Sequence, residues 1–191
     1  MGPFANRGRF AKGPKTGMGV HMRLRTLLVA LWVLPFLAAA ATAETAPKLG
    51  IASLADLPVV ERTPYDSNAD ATAAVDAAFA RAKTSGKRVL IDLGGNWCPD
   101  CVVLANLMLL PELKPFLAVH FEIVSVDVGR FDKNLQIPAR FGITQRLEGV
   151  PSVIVAEPDG TFVNPGRIAA LADARHMTPE AIADWLALWA K

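Results

Sequence analysis

The chain contains two cysteines, Cys98 and Cys101, and their C-x-x-C spacing is the pattern most able to do chemistry. They follow an apolar run and a glycine turn at 94–96, so they fall where a buried strand passes into a helix. A thiolate at a helix N-terminus is stabilised by unpaired backbone N–H groups and by the helix dipole, which lowers the pKa of the thiol. We therefore expect Cys98 to be an exposed nucleophile. Cys101, one helical turn further on, is placed to attack a mixed disulfide formed at Cys98.

Other uses of a C-x-x-C pair fit the sequence less well. Covalent haem attachment needs a histidine after the second cysteine, and Val102 stands there. Structural zinc needs four ligands, whereas the chain has one cysteine pair, and His120 and His176 show no ligand spacing. A structural disulfide across this spacing closes too small a loop to stabilise the fold much. The pattern favours a redox-active disulfide, Cys98–Cys101, as the reacting group, with no other cofactor.

The elements around the cysteines predict one α/β domain with a central sheet flanked by helices. Residues 87–93 form a nearly continuous apolar run, which is typical of a strand buried on both faces. Thr178 and Pro179 are the residue types that begin a helix. The predicted elements in chain order are a short strand near 59–60, a helix from 68 to 86, a strand at 87–93, a helix at 102–110 with a continuation to 117, a strand at 119–126, a surface helix at 132–141, a hairpin of strands 152–156 and 161–163, and a helix from 178.

The N-terminal part has the layout of a cleaved secretory signal. Arg23 and Arg25 precede an apolar run, and small residues ending at Ala43 follow it. The run is shorter than the roughly 20 residues of a spanning helix, which makes a retained membrane anchor the less favoured alternative. We expect residues 1–21 to be a disordered leader or an over-long start, 22–43 a signal peptide cleaved after Ala43, 44–67 an extended lead-in with little chemistry, and 68–191 the domain. The expected location is the periplasm.

The charge distribution argues against one class of partner. All 18 Asp and Glu follow Ala43, whereas six of the 20 Lys and Arg precede it, so the expected mature chain has a net charge of −4. Phosphate binding needs concentrated Lys and Arg. We therefore expect protein substrates and no nucleic acid, and we expect the protein to be a monomer.

The stretch from Asp92 to Cys101, D-L-G-G-N-W-C-P-D-C, resembles the active site of the thioredoxin superfamily, particularly exported members with a W-C-x-x-C motif. The resemblance covers about 68–191 and implies a thioredoxin-like fold, with a central mixed β-sheet flanked by helices. It also implies that Trp97 shapes the surface on which substrates dock. We expect Pro99 and Asp100, between the cysteines, to belong to the same substrate-binding surface.

The resemblance implies two further roles. Asp92, six residues before Cys98, matches a buried acid that accepts the proton of the second cysteine, and a solvated strand-end carboxylate is the alternative. Val150-Pro151 matches a cis-proline facing the disulfide, preceded by a residue whose backbone pairs with substrate, and a trans proline at a strand start is the alternative. The lysine that many thioredoxins place near the buried acid has no counterpart in 122–127.

Asp100 bears on the direction of electron flow. A carboxylate beside Cys98 should raise the pKa of the thiol by repulsion, which predicts a reductant of disulfides in exported proteins. A reductant there must be recharged, so we expect a membrane thiol electron donor, with disulfide-containing exported proteins or apocytochromes as substrates. Two alternatives stay open: a non-catalytic adaptor that binds through Trp97 and Pro151, and a Cu(I)-binding envelope protein.

Overall fold

The computed structural model describes residue 13 and residues 44–191. The predicted signal peptide, and the predicted leader apart from Gly13, lie outside the described residues. The elements in chain order are a 3-10 turn Leu54–Asp56, α1 Ala71–Ser85, β1 Arg88–Gly94, α2 Pro99–Met108, α3 Leu113–His120, β2 Phe121–Asp127, α4 Gln136–Ala139, β3 Ser152–Ala156, a second 3-10 turn Ala174–His176, and α5 Pro179–Ala187.

The three strands form one mixed sheet in the order β2-β1-β3. The central strand β1 runs parallel to β2 and antiparallel to β3, so that Asp92 lies between Ser125 and Val153. Every residue of β1 after Arg88 is buried, which accounts for the unbroken apolar run in the sequence. The predicted central mixed sheet flanked by helices is confirmed.

Helices cover both faces of the sheet and form two hydrophobic layers. On one face α1 packs Val75 against Ile91 and its neighbours. On the opposite face α2, α3 and α5 contribute residues such as Leu104 and Leu186, which join Leu90. Leu90 and Ile91 enter opposite layers because successive side chains of a strand point to opposite faces. Each such buried side chain contributes about 1.5–3 kcal/mol, so both layers hold β1 in place.

Local capping signals set the ends of two helices. The Asp70 carboxylate caps α1 by accepting a backbone N–H of the first turn at 3.0 Å, and Gly86 ends the helix with φ 75°. The Thr178 hydroxyl caps α5 at 3.1 Å, and Pro179 occupies the first helical position, as predicted. These ends form as expected because each depends on residues within one turn of the helix.

The lead-in, residues 44–67, lacks the strand predicted near 59–60. Its backbone N–H groups at Val60 and Glu61 bind the side chain of Asn106 on α2 instead of a neighbouring strand. Leu57 and Tyr65 of the lead-in are buried against the domain. The lead-in is therefore part of the folded body.

Two predicted elements are shorter than expected. The second hairpin strand is reduced to one bridge between Phe162 and Ala156. The surface helix predicted at 132–141 is confined to Gln136–Ala139, because Phe131 and Asn134 before it take left-handed backbone angles, φ 69° and 53°. Such angles interrupt a right-handed helix.

Within the part of the chain that the structure describes, no single helix is long and apolar enough to cross a membrane. The consecutive helices α2 and α3 reach that length and composition only as a pair, bent by 86° at the break between them. Both helices contribute buried residues to the core.

Candidate active site

The two cysteines lie at the start of α2, where the C-x-x-C spacing predicts them. Cys98 is the N-cap residue, and its sulfur accepts the backbone N–H of Cys101 at 3.2 Å. Pro99 occupies the first helical position, where its fixed φ suits the helix and its missing N–H costs no hydrogen bond. The Cys98 sulfur is therefore held against the free N–H groups of a helix N-terminus.

The burial of Cys98 differs from the prediction of an exposed thiol. Cys98 is 3% exposed and Cys101 is 0% exposed. In its thiol form Cys98 donates to the Val150 carbonyl oxygen at 3.3 Å, and this contact covers the sulfur. Its sequence neighbours Trp97 and Pro99 are exposed. Cys98 therefore lies directly beneath the surface, and Cys101 lies one helical turn deeper.

The surroundings of Cys98 lower the pKa of its thiol to about 7. The largest cause is the Cys101 thiol, which donates its hydrogen to the Cys98 thiolate, and the N–H groups of Cys101 and Asp100 act in the same direction. Donation to Cys98 is also the largest cause that raises the pKa of Cys101 above its usual range, and burial adds to it. This geometry makes Cys98 the attacking thiolate and leaves Cys101 as the thiol that keeps its proton.

The predicted effect of Asp100 on Cys98 is present, but it does not set the pKa of the thiol. The negative charge of Asp100 does oppose the thiolate, but the hydrogen bonds to Cys98 outweigh it. The Asp100 carboxylate is also paired with Arg175: one oxygen accepts the backbone N–H of Arg175 at 2.9 Å, and the second accepts Nε–H at 3.0 Å. The predicted direction of the Asp100 effect is therefore confirmed, whereas the predicted net rise in the pKa of Cys98 is wrong, because the Cys101 thiol and the backbone N–H groups lower the pKa by more.

Asp92 is fully buried on β1, which excludes the solvated alternative. Its Oδ2 accepts the hydroxyl hydrogen of Tyr65 at 2.7 Å, whereas Oδ1 has no hydrogen-bond partner among the described residues. Burial raises the pKa of Asp92 to about 7, and the Tyr65 hydrogen bond opposes this rise. The Asp92 charge contributes to raising the pKa of Cys101, so the two side chains interact. A carboxyl with this pKa can take up a proton near neutral pH.

Tyr65 is a functional residue that the sequence analysis missed. It lies in the lead-in, to which little chemistry was assigned, yet it is 1% exposed and bonds to Asp92. Asn96, in the turn before Cys98, holds the Tyr65 backbone from both sides: it accepts the Tyr65 N–H at 3.0 Å and donates to the Tyr65 carbonyl at 2.8 Å. The sequence did contain a signal for this contact, because a buried carboxylate needs a hydrogen-bond donor and Tyr65 is the one tyrosine in the chain.

Gly94, the last residue of β1, allows the tyrosine and the second cysteine to approach each other. A Cβ atom at this position would overlap the Tyr65 hydroxyl and lie 2.9 Å from the Cys101 sulfur. Contacts of that length do not occur between non-bonded carbon and its neighbours without displacement. The phenol and the thiol therefore both lie against Gly94, beside Asp92.

Trp97 forms a fixed, partly exposed surface next to Cys98. The side chain is 40% exposed, and its indole N–H donates to the Gly129 carbonyl at 2.7 Å. The guanidinium carbon of Arg130 lies 4.9 Å from the ring centroid, and the Phe131 ring meets the indole edge-on at 6.1 Å. These contacts with the loop after β2 hold the indole in one orientation.

Val150 and Pro151 lie immediately before β3, with the Val150 carbonyl against the Cys98 sulfur. The peptide bond between them is cis, as predicted. The structure therefore brings Val150 to Cys98 from a segment 52 residues away in the sequence. Trp97, Pro99 and Val150 all lie around the same sulfur.

Among the described residues, no group of three or more His, Cys, Asp or Glu side chains is arranged to hold a metal ion. The structure holds Cys98 and Cys101 as free thiols. Two thiols with a buried carboxyl beside them can exchange two electrons and two protons with a disulfide.

The chain resembles known proteins in family, in sequence and in structure. Residues 70–158 match the Thioredoxin-like family. The chain is 30% identical over 109 residues to the thiol:disulfide interchange protein DsbD 1 of Pseudomonas aeruginosa, covering 56% of this chain and 18% of that protein. It is 31% identical over 80 residues to thioredoxin of Alicyclobacillus acidocaldarius, covering 42% of this chain and 68% of that protein. A crystal structure described as a disulphide isomerase from Xylella fastidiosa Temecula1 has a TM-score of 0.60 and 37% identity, covering 65% of this chain and 94% of that chain.

A mixed sheet whose central strand leads into a C-x-x-C helix, with a buried acid beside the second cysteine, defines a class of dithiol proteins. The chain belongs to the thioredoxin superfamily of thiol-disulfide oxidoreductases, and the predicted thioredoxin-like fold is confirmed. The chain spans 18% of the length of its DsbD relative.

Proposed function

We propose that this protein is a thiol-disulfide oxidoreductase that reduces disulfides in exported proteins through Cys98 and Cys101. The observation that carries this proposal is the Cys98 sulfur at the N-terminus of α2, held by the Cys101 N–H at 3.2 Å, with a thiol pKa of about 7. At neutral pH a thiol with this pKa is about half ionised, and the thiolate is the form that attacks disulfides.

The exchange proceeds in two attacks. The Cys98 thiolate attacks one sulfur of a substrate disulfide, forming a mixed disulfide and releasing the second substrate sulfur as a thiolate that takes up a proton. Cys101, as a thiolate, then attacks the Cys98 sulfur and displaces the remaining substrate thiolate. The products are a Cys98–Cys101 disulfide and a substrate dithiol, so two electrons pass from the protein to the substrate.

The second attack requires Cys101 to lose its proton, and Asp92 is the group that can accept it. Once Cys98 is part of a mixed disulfide it no longer accepts the Cys101 hydrogen, so the cause that most raises the pKa of Cys101 disappears. The Asp92 carboxyl beside it has a pKa of about 7 and an oxygen with no hydrogen-bond partner among the described residues. This pairing supports a general-base role for Asp92.

Substrate binding is assigned to the surface around Cys98. Trp97 supplies an exposed apolar ring, and Pro99 is a second exposed residue next to Cys98. The Val150 carbonyl, which contacts Cys98 at 3.3 Å, is the backbone group proposed to pair with an extended substrate segment.

The reducing direction is supported by the thiol pKa. Strongly oxidising dithiol proteins stabilise their thiolate to a pKa of about 3.5, whereas reducing members have values of about 7. A less stabilised thiolate makes the dithiol a better electron donor. The value of about 7 at Cys98 therefore favours a reductant, although the reason is not the one that Asp100 suggested in the sequence.

A location outside the cytoplasm and a membrane-embedded thiol donor complete the proposal. The location is supported by the signal-like segment at 22–43, and the donor by the need to restore the dithiol in an oxidising compartment. The similarity to a protein named for thiol:disulfide interchange is consistent with exchange between dithiol partners.

Insulin reduction by the purified protein tests the reaction. We expect the wild-type chain to accelerate disulfide reduction by dithiothreitol, Cys98→Ser to abolish the acceleration, and Cys101→Ala to accumulate mixed disulfides at Cys98. Equilibration with glutathione should give a potential closer to about −270 mV than to about −120 mV. A potential at the oxidising end contradicts the reducing direction.

Trapping with Cys101→Ala in the cell envelope tests the partners, with a Cys98→Ala/Cys101→Ala double variant as the matched control. Exported proteins and a membrane thiol protein should be recovered as adducts that reductant releases. Failure to reduce insulin together with an absence of adducts would favour the adaptor. Tight stoichiometric Cu(I) binding without insulin reduction would favour the metal-binding alternative.

A further inference from the structure

Asp100 places a carboxylate inside the C-P-D-C turn, next to the sulfur that must become negative. The residue is 6% exposed, so water cannot screen its charge well. A like charge close to a thiolate disfavours ionisation, and the Asp100 charge acts on Cys98 in that direction. The reactivity of Cys98 therefore depends on what neutralises Asp100.

Arg175 neutralises it with two directed contacts. The backbone N–H of Arg175 donates to Oδ1 of Asp100 at 2.9 Å, and its Nε–H donates to Oδ2 at 3.0 Å. The first contact fixes the 3-10 turn Ala174–His176 against α2, and the second fixes the guanidinium beside the carboxylate. Because Ala174 is fully buried, the turn is anchored on the core side as well.

We propose, resting on the proposed function, that Arg175 is a positioning residue that sets the reactivity of Cys98 by cancelling the Asp100 charge within the C-P-D-C turn. The Cys98 charge also acts on the guanidinium and contributes to raising the pKa of Arg175. Loss of Arg175 therefore exposes the thiolate to an uncompensated carboxylate and removes an attractive charge. Both changes make Cys98 a weaker nucleophile at neutral pH.

The remaining charged groups around the pair are few. Asp173, on the same turn, also faces Arg175 and is itself paired with His176 at 2.5 Å. The other titratable groups beside Cys98 are Cys101 on α2 and Asp92 on β1; the charges of Cys98 and Asp92 both raise the pKa of Cys101. Arg175 is the cation that contacts Asp100 among the described residues, so the pH dependence of Cys98 should respond to its removal.

The test is the pH dependence of Cys98 alkylation by iodoacetamide in the full mature chain, which needs no substrate and no turnover. In Arg175→Gln the pKa of Cys98 should rise by about 0.5–1 unit, giving about a three- to tenfold slower alkylation at pH 6. Arg175→Lys, which keeps the charge, should restore most of the wild-type rate. Arg140→Gln is the matched control, because it removes an arginine from a second Asp–Arg pair, with Asp76 on α1.

Asp100→Asn should lower the pKa of Cys98, and adding it to Arg175→Gln should return the pKa toward the wild-type value. The proposal is overturned if the pKa of Cys98 in Arg175→Gln is equal to, or lower than, its pKa in Arg140→Gln. It is also overturned if Arg175→Lys does not restore the alkylation rate of Cys98. Circular dichroism of each variant checks that the fold is intact. A shifted pKa in a protein that never reduces insulin would leave this inference standing and reject the proposed function.

Discussion

Two hydrogen bonds set the acid–base behaviour of individual residues in this site. One lies between the Cys101 thiol and the Cys98 sulfur, and it lowers the pKa of Cys98. The other is donated by Tyr65 to Asp92 over 2.7 Å. The first prepares the attack on substrate, and the second controls how readily Asp92 takes up the proton that Cys101 must lose.

Tyr65→Phe removes the hydrogen bond to Asp92 and keeps the aromatic ring. The hydrogen bond favours the ionised carboxylate, so its loss should raise the pKa of Asp92 by about one unit, as expected for one hydrogen bond to a charged group. The acidic limb of the pH profile of insulin reduction should move upward, and turnover at pH 7 should fall severalfold. An unmoved profile would remove Tyr65 from the proton path.

Asp92→Asn should make the protein more stable and less active at neutral pH. The folded-state pKa of Asp92 is about 7, above the usual value of 3.8. Between these values the folded chain binds more protons than the unfolded chain, so the free energy of unfolding falls as the pH rises from about 4 to about 7. Asp92→Asn lacks this pH-dependent loss. Its free energy of unfolding should exceed that of the wild type by about 1–3 kcal/mol at pH 8 and should equal it at pH 4.

Urea unfolding of the reduced proteins at both pH values measures this difference. Asp76→Asn is the matched control, because it makes the same substitution at an exposed aspartate, on α1. A gain of equal size at pH 4 and pH 8 would show that Asp92 is not buried as a charge.

At the scale of elements, two asparagines attach the lead-in to the active-site helix and its turn. Asn106 on α2 uses its whole side chain: Oδ1 accepts the N–H groups of Val60 and Glu61, and Nδ2 donates to the carbonyls of Glu61 and Val102. Asn96 holds the Tyr65 backbone. The position of the tyrosine hydroxyl therefore depends on both ends of this segment.

Asn106→Ala should free the lead-in without touching the cysteines. Loss of these hydrogen bonds from a buried amide should cost about 1–3 kcal/mol in the free energy of unfolding. Hydrogen exchange at residues 57–65 should accelerate. Asn134→Ala is the control, because Asn134 also donates from its side chain to a backbone carbonyl, that of Asp127, but in a different loop. Equal exchange in the two variants would contradict the attachment.

The same scale shows what could be predicted from the sequence. The start of α5 and the cysteine turn follow from residues close in sequence, such as Thr178 and Cys98, so local patterns predict them. The loop before α4 does not follow from local patterns. Asn134 in this loop has a left-handed backbone angle, and its side chain donates to the Asp127 carbonyl seven residues earlier. Tyr65 was missed for the same reason: its partner Asp92 lies 27 residues away, and no periodicity marks the contact.

For the whole molecule, residues 44–191 contain both the sheet and the lead-in that completes the site. Cys98 and Cys101 both belong to the hydrophobic layer that α1 forms with β1, and Leu104, further along α2, belongs to the opposite layer. A chain that begins at Glu44 therefore contains all the contacts assigned to the reaction.

Expression of the full sequence in a Gram-negative host tests the proposed export. The mature protein should be recovered from the periplasmic fraction with Glu44 as its first residue, as read by N-terminal sequencing. Replacing both Arg23 and Arg25 with Glu should retain the uncleaved protein in the cytoplasm, because the positive region directs export. Recovery of uncleaved wild-type protein in membranes would favour the anchor.

Gly94 is a position in the site where even the smallest side chain does not fit. Gly94 has no side chain that could react or donate a hydrogen bond. A single methyl group at this position would nevertheless displace the Tyr65 ring from Cys101. Gly94→Ala should leave the first attack on a substrate nearly intact while slowing the release of that substrate. Such a protein would hold its substrates as mixed disulfides at Cys98 for far longer than a normal catalytic cycle.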